Sequence, residues 1–213
     1  MRTIISGVSC LSLLCVILFN SCSKNLQKET VVYKNNFNDG DLSGITNGKI
    51  FKYNGSNVLG RFNNDGFLLT INNLPDHDLI RVSIDLYIHD SWDGNVEGID
   101  GADGPDFWQM NLDGARHLYT TFSNNGPQSY PNGYLVQNNA KSNAYKTDLP
   151  GVCSQKDIIG GTSMYKIVRT IQQDDKTFTL ECLDKLKQTI IPDTLCDESW
   201  SVGSIEVKVI KLR

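Results

Sequence analysis

From Leu79 to His89 the chain alternates: every even position from Ile80 to Ile88 is aliphatic, while the odd partners from Arg81 onward are mostly polar. Period two sends successive side chains to opposite faces, so this segment buries its aliphatic side only as a strand with one face on a core. Such a strand needs partners, and weaker copies of the pattern supply them. Phe67–Ile71 repeats it, and Trp108–Leu112 does so before the Asp113-Gly114 turn signal, with His117–Phe122 as its return. Tyr165–Ile171 and Thr177–Leu183 flank a short polar loop as a hairpin, and Ile205, Val207 and Val209 line one face of Ser204–Ile210. Helix signals are weak, with Asp197–Trp200 the best short candidate, as helix or turn. These strands predict an all-β, antiparallel two-sheet β-sandwich with minor or no helix.

The N-terminus has a different character. Arg2 precedes an apolar run from Ile4 to Phe19, too short for a spanning helix and suited to a secretory signal. The run ends in Phe19-Asn20-Ser21-Cys22, which resembles the lipobox of bacterial lipoproteins, with Phe19 where Leu is usual. That resemblance implies cleavage after residue 21 and lipidation of Cys22. The expected organisation is a signal peptide over 1–21, a polar tether over 22–34 and one sandwich domain over 35–213. The expected location is the bacterial cell envelope, as an outer-membrane or periplasm-facing lipoprotein held by its lipid alone. Loss of Arg2 takes the formal charge from −4 to −5. With no basic surplus to neutralise phosphates, nucleic acid is excluded as a partner. Cys153, Cys182 and Cys196 remain for at most one disulfide; Cys182–Cys196 is a plausible pair that spacing does not decide.

Six carboxylates and four glycines crowd the segment from Asp90 to Asp106. Like charges so close repel unless a cation sits among them, and glycines let backbone carbonyls turn inward as further ligands. The sequence therefore points to an irregular Ca²⁺ site drawn from Asp90, Asp93, Asn95, Asp103 and Asp106. Magnesium fits less well, because it favours few carboxylates and several waters. Asp93-x-Asn95-x-Glu97-Gly98 imitates the start of an EF-hand loop, but its twelfth position is Gly104 rather than a bidentate Glu. The competing reading is a solvated loop of Asx-turns.

A set of motifs then recurs in order: Leu59-Gly60-Arg61-Phe62-Asn63-Asn64, Leu74-Pro75-x-His77, Asp85-Leu86-Tyr87-Ile88-x-Asp90-Ser91-Trp92-Asp93-Gly94, Pro105-Asp106-x-Trp108, Thr120-Thr121-Phe122-Ser123-Asn124 and Asp197-Glu198-Ser199-Trp200. Together they resemble a jelly-roll module of the concanavalin A-like type found in extracellular and surface proteins of bacteria. The resemblance spans about Asn36 to Lys211. It implies a jelly-roll sandwich and allows carbohydrate binding, though members mostly lack an assigned activity. Related modules commonly close on Trp-Gly-Ile-Asp-Asn; here Ser201-Val202-Gly203-Ser204 stands instead.

Concanavalin A-like folds include glucanases, which carry a Glu-x-Asp-x-x-Glu strand. None of Glu29, Glu97, Glu181, Glu198 or Glu206 forms that pattern. His77, His89 and His117 have no nucleophile-elbow serine to serve, and Cys153 shows no activating partner. The expectation is a non-catalytic module whose partner is a glycan or an envelope protein. A structural or protein-interaction role is the alternative, and a divergent glycoside hydrolase the second. Trp92, Tyr130, Tyr134 and Tyr145 are the candidate sugar-stacking aromatics, while Trp108 alternates with Met110 and Leu112 as core. The Asn-, Gly- and Pro-rich stretch from Ser123 to Gly151 is either a functional loop or a meandering insertion with a short strand at Gly133–Gln137.

Overall fold

The computed structural model describes residues 26–98, 103–188 and 193–213. The segment expected as a signal peptide over 1–21, Cys22 with its expected lipid, and Asp100 lie outside these residues.

The chain is a jelly-roll β-sandwich of two antiparallel sheets. The seven-stranded sheet runs β3 (Ile50–Tyr53), β4 (Ser56–Phe62), β12 (Glu198–Leu212), β6 (Leu79–Asp90), β10 (Ile159–Gln172), β9 (Lys146–Pro150), with β1 (Leu26–Asn35) also paired to β12. The five-stranded sheet runs β2 (Ile45–Thr46), β5 (Gly66–Ile71), β11 (Phe178–Lys185), β7 (Phe107–Leu112), β8 (Ala115–Thr121). β6 is central to the larger sheet, and its Ile80, Val82, Ile84, Leu86 and Ile88 are all buried, as their alternation requires. They belong to one core with Phe67, Leu69, Trp108, Met110, Phe178, Leu180 and Cys182 of the facing sheet.

β12 changes phase along its length. Trp200 and Val202 are buried, then Ile205, Val207 and Val209. The parity switches because its pairing with β6 slips between Val202 and Ser204, a bulge centred on Gly203.

Four expectations are corrected. Residues 26–34, expected as tether, form most of β1; the strand is exposed over much of its length, so no one-sided apolar pattern marks it. The helix falls three residues early, as α1 (Thr194–Asp197), and Glu198 to Trp200 already belong to β12. Gly133–Gln137 is not a strand, whereas Lys146–Pro150 is. The disulfide is Cys153–Cys196, not Cys182–Cys196. Cys182 points into the core from β11, where burial also pushes its thiol pKa up.

Candidate metal centre

The register of β12 against β6 sets Glu198 opposite Asp90, at the end of the sandwich where the acidic loop leaves β6. Asp106 enters β7 beside that point. Its backbone N–H donates to Gly94 O, and its Oδ2 accepts the Asp93 N–H at 2.6 Å, so both ends of the loop are tied together. The loop closes this tightly because two turns use glycine at positive φ. A Cβ on Gly94 would lie 2.3 Å from Pro127 O, and one on Gly104 would lie 2.1 Å from Val96 O.

These constraints bring carboxylate oxygens of Asp93, Asp106 and Glu198 within 4.8 Å of one another. Two oxygens on opposite sides of one Ca²⁺ are separated by about 4.8 Å, twice a metal–oxygen distance of about 2.4 Å, so the spacing fits a shared calcium ion. Asp106 and Glu198 are almost wholly buried and Asp93 is half-buried. Burial, and then the charge of Asp106, pushes the Glu198 carboxyl far above the usual range. Asp106 is pushed up by burial and by Asp93; Asp93 is raised by burial and then by Asp103 and Asp197. The polar support is modest: Gln188 Nε2 donates to Glu198 Oε2 at 2.8 Å. No arginine or lysine forms a salt bridge with the three carboxylates among the described residues. Buried, mutually repelling carboxylates of this kind either hold protons or hold a cation.

The sequence-derived ligand set divides. Asp93 and Asp106 converge. Asp103 lies near enough to raise Asp93, and its backbone carbonyl accepts the Gly98 N–H. Asp90 and Asn95 serve other partners. Asp90, at φ 65°, turns its Oδ1 to accept the N–H groups of Val152, Cys153 and Gln155 at 3.0–3.2 Å, beside the disulfide. Asn95 Oδ1 accepts the hydroxyls of Thr121 and Ser129, and its Nδ2 donates to Val136 O, pinning the long loop. Glu198 joins the cluster from outside the loop. Its one sequence signal was its place in the Asp197-Glu198-Ser199-Trp200 motif; the loop it completes lies about a hundred residues earlier.

The long stretch from Ser123 is a built part of the fold. Gln128 is buried; its Oε1 accepts from Ser123 N, Lys141 N and the Tyr165 hydroxyl, and its Nε2 donates to Tyr130 O and Ser142 O. Buried Asn124 donates to Ile88 O, Asp90 O and Gly161 O. Trp92 and Tyr130, expected as sugar-stacking rings, are 1% and 3% exposed and pack around Phe122. Their size placed them in the core, so they offer no face to a ligand. Tyr134 is half-buried, edge-on to Phe107. Tyr145 is 62% exposed, with Lys166 Nζ 4.5 Å from its ring centroid.

No family model matches the chain, and no curated protein does either. Among solved structures, it is similar to dimeric latent PorU from Porphyromonas gingivalis, at 11% identity and TM-score 0.35, over 68% of this chain and 10% of that one. It is also similar to the family GH115 4-O-methyl-α-glucuronidase BtGH115A, at 14% and 0.41, over 84% of this chain and 17% of that one. A third is the carbohydrate-binding module CBM6cm-2 from Cellvibrio mixtus lichenase 5A, at 10% and 0.33, over 84% and 97%. The chain thus spans only a small part of the first two, and at these scores the likenesses carry no inference about its ligand.

Proposed function

We propose that this chain is a non-catalytic binding module of the bacterial envelope, anchored through a lipid on Cys22, stabilised by Ca²⁺ and directed at a glycan. The observation that carries the reading is the convergence of Asp93, Asp106 and Glu198. Paired carboxylates also suit glycoside hydrolysis, but a glycosidase must bring both against a sugar. Here Asp106 and Glu198 are 0% and 1% exposed, and the Asp93 N–H already occupies one oxygen of Asp106. Burial favours an ion over a substrate. The glycan reading is supported by the open clefts of the surface, whose linings are mostly polar, and by the exposed ring of Tyr145. Polyols suit such surfaces better than apolar ligands do.

Thermal melting with and without EDTA tests the calcium. A melting temperature that rises with added Ca²⁺ and falls on chelation is expected; identical curves would remove the ion from the reading. Glycan-array binding tests the ligand class, and Cys22→Ser should release the protein from the membrane fraction.

A further inference from the structure

The outer face of the seven-stranded sheet carries a cleft of about 540 Å³, within the range of about 300–1,000 Å³ usual for ligand sites. Its floor follows from the same alternation that buries Ile84 and Leu86. Ser83 and Asp85 of β6 point outward, opposite Glu206 and Ser204 of β12, with Lys166 of β10 beside Asp85. The chain leaving β1 turns through Asn36, Asp39 and Asp41 to form one wall.

The polar groups of the floor are held in place by one another. Ser204 Oγ donates to Asp85 Oδ2 at 2.9 Å, Lys166 Nζ lies 3.7 Å from Asp85 Oδ1, and Lys34 Nζ lies 3.3 Å from Glu206. The same Lys166 Nζ reaches the ring of exposed Tyr145, which therefore borders the cleft. Two residues along β6, Tyr87 is not part of the lining: its ring packs on Tyr53 and His89 and against the bulge, where a Cβ on Gly203 would come within 2.6 Å of its Cε2.

The lining selects its occupant. Four carboxylates (Asp39, Asp41, Asp85, Glu206) outnumber two lysines (Lys34, Lys166), so an anion such as a phosphate, sulfate or uronate is repelled. Ile205 is the one aliphatic residue of the lining, too little for a lipid or an apolar ligand. Sugar hydroxyls both donate and accept, matching carboxylate, amide, hydroxyl and ammonium groups together. Their C–H faces stack on aromatic rings. We propose that this cleft holds a neutral oligosaccharide, with a sugar ring against Tyr145 at its edge and hydroxyls on Ser83, Asp85 and Ser204. The assignment rests on the glycan reading above and gives it a place.

Affinity electrophoresis of the full chain in gels containing mixed-linkage β-glucan, xylan, galactomannan or pectate tests it. Retardation by at least one neutral polymer, and none by pectate, is expected. Ser83→Trp, which fills the floor, and Tyr145→Ala should each weaken it about tenfold or more. Tyr134→Ala, in the long loop and packed against the other sheet, should behave as the parent. A retained calcium-dependent rise in melting temperature shows that each variant is folded. Neutral-glycan binding that survives both cleft variants, or that Tyr134→Ala removes, overturns the cleft and leaves the glycan reading standing. Retardation by pectate alone does the same. No retardation in any gel overturns both.

Discussion

His89 ends the aliphatic alternation of β6 and is wholly buried, with Nδ1 2.9 Å from Thr162 Oγ1 and Nε2 2.7 Å from Ser201 Oγ. Burial, helped by the Arg61 charge, pushes its pKa down to about 3. The unfolded chain takes up a proton near the ordinary value of about 6.5, while the folded chain refuses it until about 3. Stability from this group is therefore complete above pH 6.5 and lost as the pH falls through that window. Urea melts from pH 7.5 to 3.5 should show His89→Gln less stable at neutral pH by about 1–3 kcal/mol, with a shallower acid decline. Parallel pH profiles for parent and variant would show that His89 is not the source. Glu198 has the opposite sign. Its raised carboxyl stays protonated in the metal-free fold while the unfolded chain ionises near pH 4.5, so chelated protein loses stability as the pH rises. Glu198→Gln should melt higher than the parent in EDTA at pH 8, yet gain nothing from Ca²⁺. A variant that still responds fully to Ca²⁺ places the ion elsewhere.

At the scale of elements, the disulfide ties the turn after β9 to α1, across a sequence separation of 43 residues. On the chain-entropy account, closing a loop of that length is worth about 4 kcal/mol. Cys153→Ser with Cys196→Ser should show about that loss in denaturant melts, and Cys182 should react with a thiol reagent only on unfolding. Loss of less than about 1 kcal/mol would mean that the hydrogen bonds from the 152–155 turn to Asp90 hold this corner unaided. The sequence displayed the strands whose two faces differ, such as β6, β7 and β11, because one-sided burial leaves a period of two. It concealed β1, which is mostly exposed, and β9, an edge strand marked by no aliphatic alternation. The carboxylate cluster was half legible for a related reason. Asp93 and Asp106 share a loop and can be seen together, but Glu198 joins them only through the register of β12 on β6. Cys153 and Cys196 likewise meet through folding and not through spacing. Asp90 and Asn95 have the right chemistry for calcium ligands, and backbone N–H groups and hydroxyls claimed them instead.

The whole molecule has two ends, and β6 runs between them. Leu79 pairs with Ile210, close to where Leu26 meets Leu212, while Asp90 pairs with Glu198 at the far end. Twelve residues of strand at about 3.3 Å each separate the poles by roughly 35 Å. If Cys22 carries lipid, residues 23–25 alone lead from it to β1, so the Leu212 end lies at the bilayer. The carboxylate cluster and the exposed Val96, Leu135 and Val136 then face away from it. A distal position is where calcium stiffening of the acidic loop would steady a surface presented to the exterior, while the cleft at Ser83 and Asp85 stands partway along the sheet. The prediction is directional. In vesicles carrying the acylated protein and a lipid-borne quencher, a fluorophore at Asp175, near the Leu79 end, should be quenched. One at Val136 should not be, with or without Ca²⁺. Equal quenching at both positions would lay the sandwich flat on the membrane, and stronger quenching at Val136 would reverse its orientation and make the apolar tip a membrane contact.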